Sequence, residues 1–557
     1  MGTRLGVLAL SLSFFTSCGG SPLAPVDGGQ SPGRPDGAPT EETGIIREPA
    51  PDPGRIGIHF LNNTEYDNTV KDLLGVTASP ADGFPDDNTI DGFDNNAEVQ
   101  GAMAPNRYAQ FFLAANVLAT QVFASDALRA RIVTCTPTTG MEAVCAKEII
   151  RGFGLRAWRR PLTDAEVDRL FTLFGVAIGS GEDFLGAIQR LVRAMLSSLP
   201  FLYHVELDDQ PTSQTVHALT PYELASRLSY LLWRTMPDDR LFALAASGEI
   251  AQTDVLLAQA ERMLADPRSA ALVRALADNW WGARAIREKQ FDPALFPTWD
   301  DDLRDAIFEE TQLYLSEFLQ PNRSFLEFLT ADMNFVNVRL AQHYGFPAPA
   351  SAGFVRVVEP NDQRKGYLGL AGSLVISSLS SRTSPTMRGV RLLDSVLCYQ
   401  LPPPPPDVPA LPPEQNPWQT IRQYLEQLSS TQPVCGGCHK LMDPVGLGLE
   451  GFDAIGKQRT AYPNGQLVDV SGLEFDGTRF SGLMELADLL TKDPRFAACP
   501  PKKLFTYALR RMPEVPGDEL TMRQLQGDWA RQGSTLRGLI KQIVASRAFR
   551  LRRGEVN

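Results

Sequence analysis

The sequence predicts a mainly helical, multi-domain protein with one small β-hairpin. Two observations carry this. Capped segments with apolar residues three and four apart recur along the whole body. Strand-like alternation is confined to one stretch after residue 462. In chain order, "FLNNTEYDNTVKDLLG" sets Asn62 three residues before Glu65, a capping box, and Gly75 closes the helix. "PLTDAEVDRLFTLFG" repeats the device with Thr163 and Glu166. "LTPYELASRLSYLLW" repeats it with Thr220, Pro221 at the first helical position and Glu223. Leu224, Leu228, Leu231 and Leu232 then share a face. Further amphipathic helices are expected from Asp183 to Tyr203, Asp301 to Leu319 and Ser534 to Arg550. Stripes of this kind face a core rather than a cofactor. The hairpin is expected in "YPNGQLVDVSGLEFDGTRF", where Asn464-Gly465 stands beside Leu467, Val468 and Val470. The proline run from Leu401 to Pro413 reads as a polyproline-type connector packed on the body. "PDDNTIDGFDNN", Pro85 to Asn96, reads as a solvated loop, with Ca²⁺ or partner binding as the alternative.

Charge and hydropathy narrow the function. The net charge is -12 and no Lys/Arg-rich block is present, which argues against a nucleic-acid partner. The chain is 43% hydrophobic and 21% charged, ordinary for globular protein. Past the N-terminus no apolar run reaches the roughly eighteen residues of a membrane span. The N-terminus differs: Arg4, an apolar run from Leu5 to Phe15, then Thr16 and Ser17 before Cys18. That is the pattern of a secretory signal. Its small-small-Cys ending resembles a bacterial lipoprotein signal, which implies lipidation of Cys18. No Asp follows the cysteine to signal inner-membrane retention, so export to a lipid anchor in the outer membrane is expected. The Pro- and Gly-rich stretch behind it reads as a flexible tether. The expected divisions are a signal peptide (1–17), the tether (18–54), helical domains over 55–125, 126–212 and 213–355, a motif-bearing domain over 360–480 and a C-terminal helical domain over 481–557.

An exported chain sits in an oxidising compartment, where thiols pair. Setting Cys18 aside for the lipid leaves six cysteines. Cys135 and Cys145 flank one polar loop, "CTPTTGMEAVC", and suit a local disulfide. Cys398 and Cys499 make a second pair, and Cys435 and Cys438 stand in "VCGGCHKLMDPVG" with His439.

With seven cysteines and five histidines in the chain, a Cys-x-x-Cys-His string arises by chance about 8 times in 10,000. A zinc site needs about four ligands; here no second Cys-x-x-Cys exists and His59, His204, His217 and His343 lie far upstream. A thioredoxin-like dithiol follows a strand in an α/β pattern, whereas this motif follows the helical "WQTIRQYLEQLSS". A covalent haem c accounts for every part: two thiols for two vinyl groups and His439 as the proximal iron ligand. Attachment takes place outside the cytoplasm, which the export signal supplies. Met442 is tethered on the proximal side, so Met484 and Met512 are the distal candidates, with Met387 and the four other histidines in reserve. His59 reads as a satisfied structural histidine, and an open sixth position is a further option. In "DPVGLGLEGFDAIGKQRT", Val445, Leu447, Leu449, Phe452 and Ile455 suit a dry haem wall. Arg382, Arg388, Arg391 and Arg459 suit haem propionates.

The string "CGGCHKLMDPVGLGLEGFDAIGKQR" resembles the Planctomycete cytochrome C domain of a large exported bacterial family, and Arg364 to Pro409 is similar to the start of that domain. The capped segments upstream resemble its accompanying helical domains, and "KKLFTYALRR" its usual C-terminal domain; Arg510 stands where that family often has Gly. The resemblance implies a C-terminal cytochrome-c-like helical domain and carries over Cys435, Cys438 and His439. It carries no catalytic residue. The expected function is a lipid-anchored mono-haem c-type protein passing single electrons to a redox partner that the sequence does not name. The alternatives are a haem-dependent oxidoreductase, peroxidase- or oxygenase-like, with an open iron site, and a cell-surface binding protein with an accessory haem domain.

Overall fold

Helix after helix begins where a side chain closes its first turn. Asn62, Thr163 and Thr220 each accept from the backbone N–H three residues on, and Glu65, Glu166 and Glu223 each reach back to the cap's own N–H. All three expected capping boxes form. Gly75, at φ 76°, ends helix Asn63–Leu74 in the left-handed region. The computed structural model describes residues 52–554 apart from 139, 205, 207–214, 361–362, 403–418, 432, 475 and 515–516. The N-terminal signal, Cys18, nearly all of the tether and most of the proline run lie outside the described residues.

Pro51–Asn557 forms one unit around two large apolar cores. The first gathers helices Asn63–Leu74, Pro105–Ala124, Glu142–Trp158, Asp164–Gly179 and Phe184–Leu196, with Tyr66, Phe111 and Leu191 fully buried. The second takes Phe93 and then residues from Leu219 to Phe549, including Trp233, Trp281, Leu393, Val445 and Trp529. The fold is mainly helical, and the strands described are short antiparallel pairs. His59–Phe60 pairs with Tyr203–His204, His217–Ala218 with Leu551–Arg552, Met333–Val336 with Val355–Val358, and Ser471–Leu473 with Arg479–Ser481. Disulfides join Cys135 to Cys145 and Cys398 to Cys499. The second closes a loop of 101 residues that contains the Cys-x-x-Cys-His motif, a constraint worth about 4–5 kcal/mol on chain entropy alone.

Three expectations change. The helix from Asp183 ends at Leu196, a short turn Leu199–Leu202 follows, and Tyr203 is strand. Pro200 lacks the N–H that a continuous helix needs from it. The hairpin sits later than expected: Gly465, at φ 83°, does make a tight turn, but Leu467 forms only a single bridge, to Ala461, and stays exposed. The ladder falls instead on Ser471–Leu473 and Arg479–Ser481, where Phe480 supplies the buried anchor. The acidic stretch from Pro85 to Asn96 is solvated only in part: Pro85, Asp86, Asn88 and Thr89 are exposed, but Phe93 to Asn96 are buried. Asp94 is buried and accepts from Asn62, Arg234, Asn279 and Arg284. Asp87 pairs with Arg107, and Asp91 with Lys503. Its acids pin the N-terminal helices to the larger core because arginine, lysine and amide donors offset the cost of burying them.

Glu310 is a buried acid of another kind. Tyr344 donates its hydroxyl to the carboxyl at 2.9 and 2.7 Å, and burial pushes that carboxyl up from 4.5 to about 8. Folded chains therefore hold a proton that unfolded chains release, and stability falls as pH rises from about 4.5 to about 8. Urea unfolding across that window should show Glu310→Gln declining less than the native chain; parallel curves would contradict the assignment.

Candidate functional site

The motif lies within helix Pro433–Leu447. Spacings of three and four residues place Cys435, Cys438 and His439 on one helix face. For Cys435 only the backbone lies among the described residues. Cys438 is a free, half-buried thiol packed against the larger core. The helix is held by close crossing with helix Pro385–Leu397. A methyl group on Gly389 would sit 1.9 Å from the Met442 carbonyl oxygen, and one on Gly446 would sit 1.8 Å from that of Pro385. Only glycine lets the two backbones meet at these points.

The crossing builds a relay. Thr386 donates its hydroxyl to Asp443 Oδ1 at 2.7 Å, and Asp443 Oδ2 lies 2.8 Å from His439 Nδ1. Nδ1–H donates to the carboxylate, which leaves Nε2 as the free ring nitrogen. Asp443 is buried, while the His439 side chain keeps 14% of its surface. That surface lines a cleft of about 330 Å³ shared with Arg422, Leu447, Arg479 and Phe480. An oriented imidazole with a bare Nε2, one residue after a free thiol, is a donor set that fits a covalent haem, whose proximal histidine binds iron through one nitrogen and is steadied through the other.

Other expected site residues lie elsewhere. Leu447 lines the cleft, but Val445, Leu449, Phe452 and Ile455 are buried in the larger core. Arg388, expected at a propionate, is fully buried against Glu450 and donates to the carbonyls of Leu449, Phe452 and Asp453. Arg459 pairs with Glu450 at 2.7 Å, Arg391 donates to the Trp281 carbonyl and Arg382 to that of Thr383. None of the four lines the cleft; Arg422, Lys440 and Arg479 are its cations. Neither Met484 nor Met512 lines it. Met484 packs against the larger core, and Met512 accepts from the Thr506 hydroxyl at 3.9 Å. Met442 is buried and Met387 exposed. His343 bonds the Ile455 carbonyl, and His217 lies in a terminal strand pair. His59 is not satisfied, since its Nε2 is buried with no partner. The sequence suggests a turn at Asp443-Pro444, but both lie inside the motif helix, and the sequence gives no site role to Asp443, Thr386 or Glu450. The signal for Glu450 was present: a lone acid in "VGLGLEGF" must be buried with a cation.

Five family models match the chain in succession, each described as a protein of unknown function: DUF1587 over residues 60–124, DUF1595 over 145–206, DUF1592 over 219–346, DUF1588 over 364–462 and DUF1585 over 476–549. These are the Planctomycete cytochrome-associated domains. The chain belongs to their family. No curated protein and no solved structure matches it. The DUF1588 segment holds the motif helix, its crossing partner and the Arg388–Glu450 pair. Arg510, at the position the resemblance expects to be Gly, caps helix Pro494–Leu509 at φ 56°. That left-handed position suits glycine, and the Glu65 carboxylate at 2.9 Å holds the arginine there.

Two predictions follow from the crossing. Gly389→Ala should lower stability in urea by about 1–3 kcal/mol, as overpacking does; an unchanged midpoint would mean that the helices separate freely. In the haem-loaded chain, Asp443→Asn should raise the midpoint potential by tens of millivolts, because an amide withdraws less proton density from Nδ1 than a carboxylate. Redox titration reads this, and an unchanged potential would show that Asp443 does not tune the histidine.

Proposed function

We propose that this chain is an exported, lipid-anchored mono-haem c-type protein that transfers single electrons. The observation that carries the reading is His439, fixed through Nδ1 by Asp443 with Nε2 left free beside the Cys438 thiol. Cys435 and Cys438 would hold the haem, His439 would ligate its iron, and Arg422 and Arg479 at the cleft would meet its propionates. Haem c supplies a one-electron Fe(III)/Fe(II) couple. The chain's own contribution is orientation: Thr386 on the crossing helix holds the Asp443 carboxylate, and the carboxylate sets the imidazole's tautomer. The small-small-Cys sequence at Cys18 supports the lipid anchor.

A second reading has its own observation. Among the described residues lining the cleft there is no methionine and no histidine besides His439. That favours an open sixth position and a haem-dependent oxidoreductase. Protein made in a cytochrome-maturing host separates the two. Under the first reading a reductive titration fits one reversible one-electron step and CO leaves the reduced spectrum unchanged. Under the second, CO shifts the reduced spectrum. Protein that matures without any haem absorption contradicts both.

A further inference from the structure

A second cleft, of about 300 Å³, opens where His59 meets residues of three matched segments. It shares no lining residue with the His439 cleft. His59 and His204 line it as a stacked pair, with ring centroids 4.7 Å apart, and they are register partners in the first strand pair. Hydrogen bonds fix both tautomers. His204 Nε2 lies 3.1 Å from the Glu65 carboxylate, so it carries the proton there. His59 Nδ1 lies 2.8 Å from the Gly57 carbonyl, so it donates and Nε2 is left as a bare acceptor. That acceptor is buried and has no partner, a costly arrangement that native structures keep for a reason. Burial first, then the charge of Arg510, holds both imidazoles well below the ordinary histidine range, so both are neutral.

The charges around the pair are unbalanced at one point. Arg510 is paired with Glu65 at 2.9 Å, and Arg227 with Glu206 at 2.6 Å. Arg159, only 4% exposed, donates to the carbonyls of Pro200, Phe201 and Tyr203 and to the Tyr230 hydroxyl, and lies over the Tyr230 ring, but no carboxylate among the described residues lies within ion-pairing distance. A buried guanidinium answered by neutral groups and no carboxylate attracts an anion.

We propose that this cleft binds a small hydroxylated carboxylate of the sugar-acid class, its hydroxyl supplying the donor His59 lacks and its carboxylate the counter-charge Arg159 lacks. The site is independent of the haem reading. Isothermal titration of the full chain tests it with galacturonate and glycerate as probes and galactose and acetate as controls. At least one of the two acids should bind saturably, and galactose and acetate should each bind about tenfold more weakly or worse, the cost of leaving one buried polar partner unmet. His59→Phe should weaken binding about tenfold. Ser226 lines the cleft from helix Pro221–Leu232 and is half-buried, so Ser226→Trp fills the cleft without emptying the core. Ser226→Trp should abolish binding, and it carries the test if His59→Phe does not fold. No saturable heat with either acid, equal binding of galactose or acetate, or undiminished binding by Ser226→Trp overturns the proposal.

Discussion

The close crossing of helices Pro385–Leu397 and Pro433–Leu447 is the constraint on which the motif depends. Gly389 and Gly446 bring the two backbones together where any side chain would push them apart. That approach puts Thr386 within reach of Asp443, which the motif helix itself sets against His439 four residues away. On an isolated helix the Asp443 carboxylate would be free to swing away from the imidazole. Here the Thr386 hydroxyl from the second helix holds the carboxylate in place, and preorganisation of this kind lowers the entropic cost of binding a ligand.

The loop behind the motif is fastened by a different force. Arg388 and Glu450 are both fully buried, and two charges out of water are tolerated only when their remaining donors and acceptors are met. All but one are met: Arg388 donates to the carbonyls of Leu449, Phe452 and Asp453, and Glu450 also accepts from Arg459 and Thr383, while Arg388 Nε is left without a partner. Loss of one partner from such a pair costs about 3–5 kcal/mol, so the pair specifies one path for residues 449–459. That path delivers Phe452 and Ile455 to the core rather than to the cleft. The Cys398–Cys499 disulfide then ties the end of the crossing helix to helix Pro494–Leu509.

Local signals in the sequence read true wherever local chemistry decides the outcome. The capping boxes at Asn62, Thr163 and Thr220 involve residues three apart, and cysteine parity leads to both disulfides. Long-range partners were hidden. Nothing near Asp94 in the chain shows that Arg234 and Arg284 will neutralise it, so its stretch reads as solvated. The arginines near the motif suggest propionate partners by proximity alone, while Glu450 and backbone carbonyls outcompete that role for Arg388 and Arg459. Cys438 and His439 stand out from spacing alone. Asp443 does not, because its role arises only when the helix places residues four apart on one face. His59 looked satisfied because its pairing with His204 spans a separation no local pattern reveals.

The most direct measurement of the central claim is the mass of the denatured chain after expression in a cytochrome-maturing host. Covalent attachment through the motif predicts a mass increase of one haem per chain that survives denaturation, and its loss or replacement by weak single-thioether attachment in Cys438→Ser. A native chain of unmodified mass, or a Cys438→Ser chain that carries haem as fully as the native one, would contradict the assignment of this helix as a haem c site.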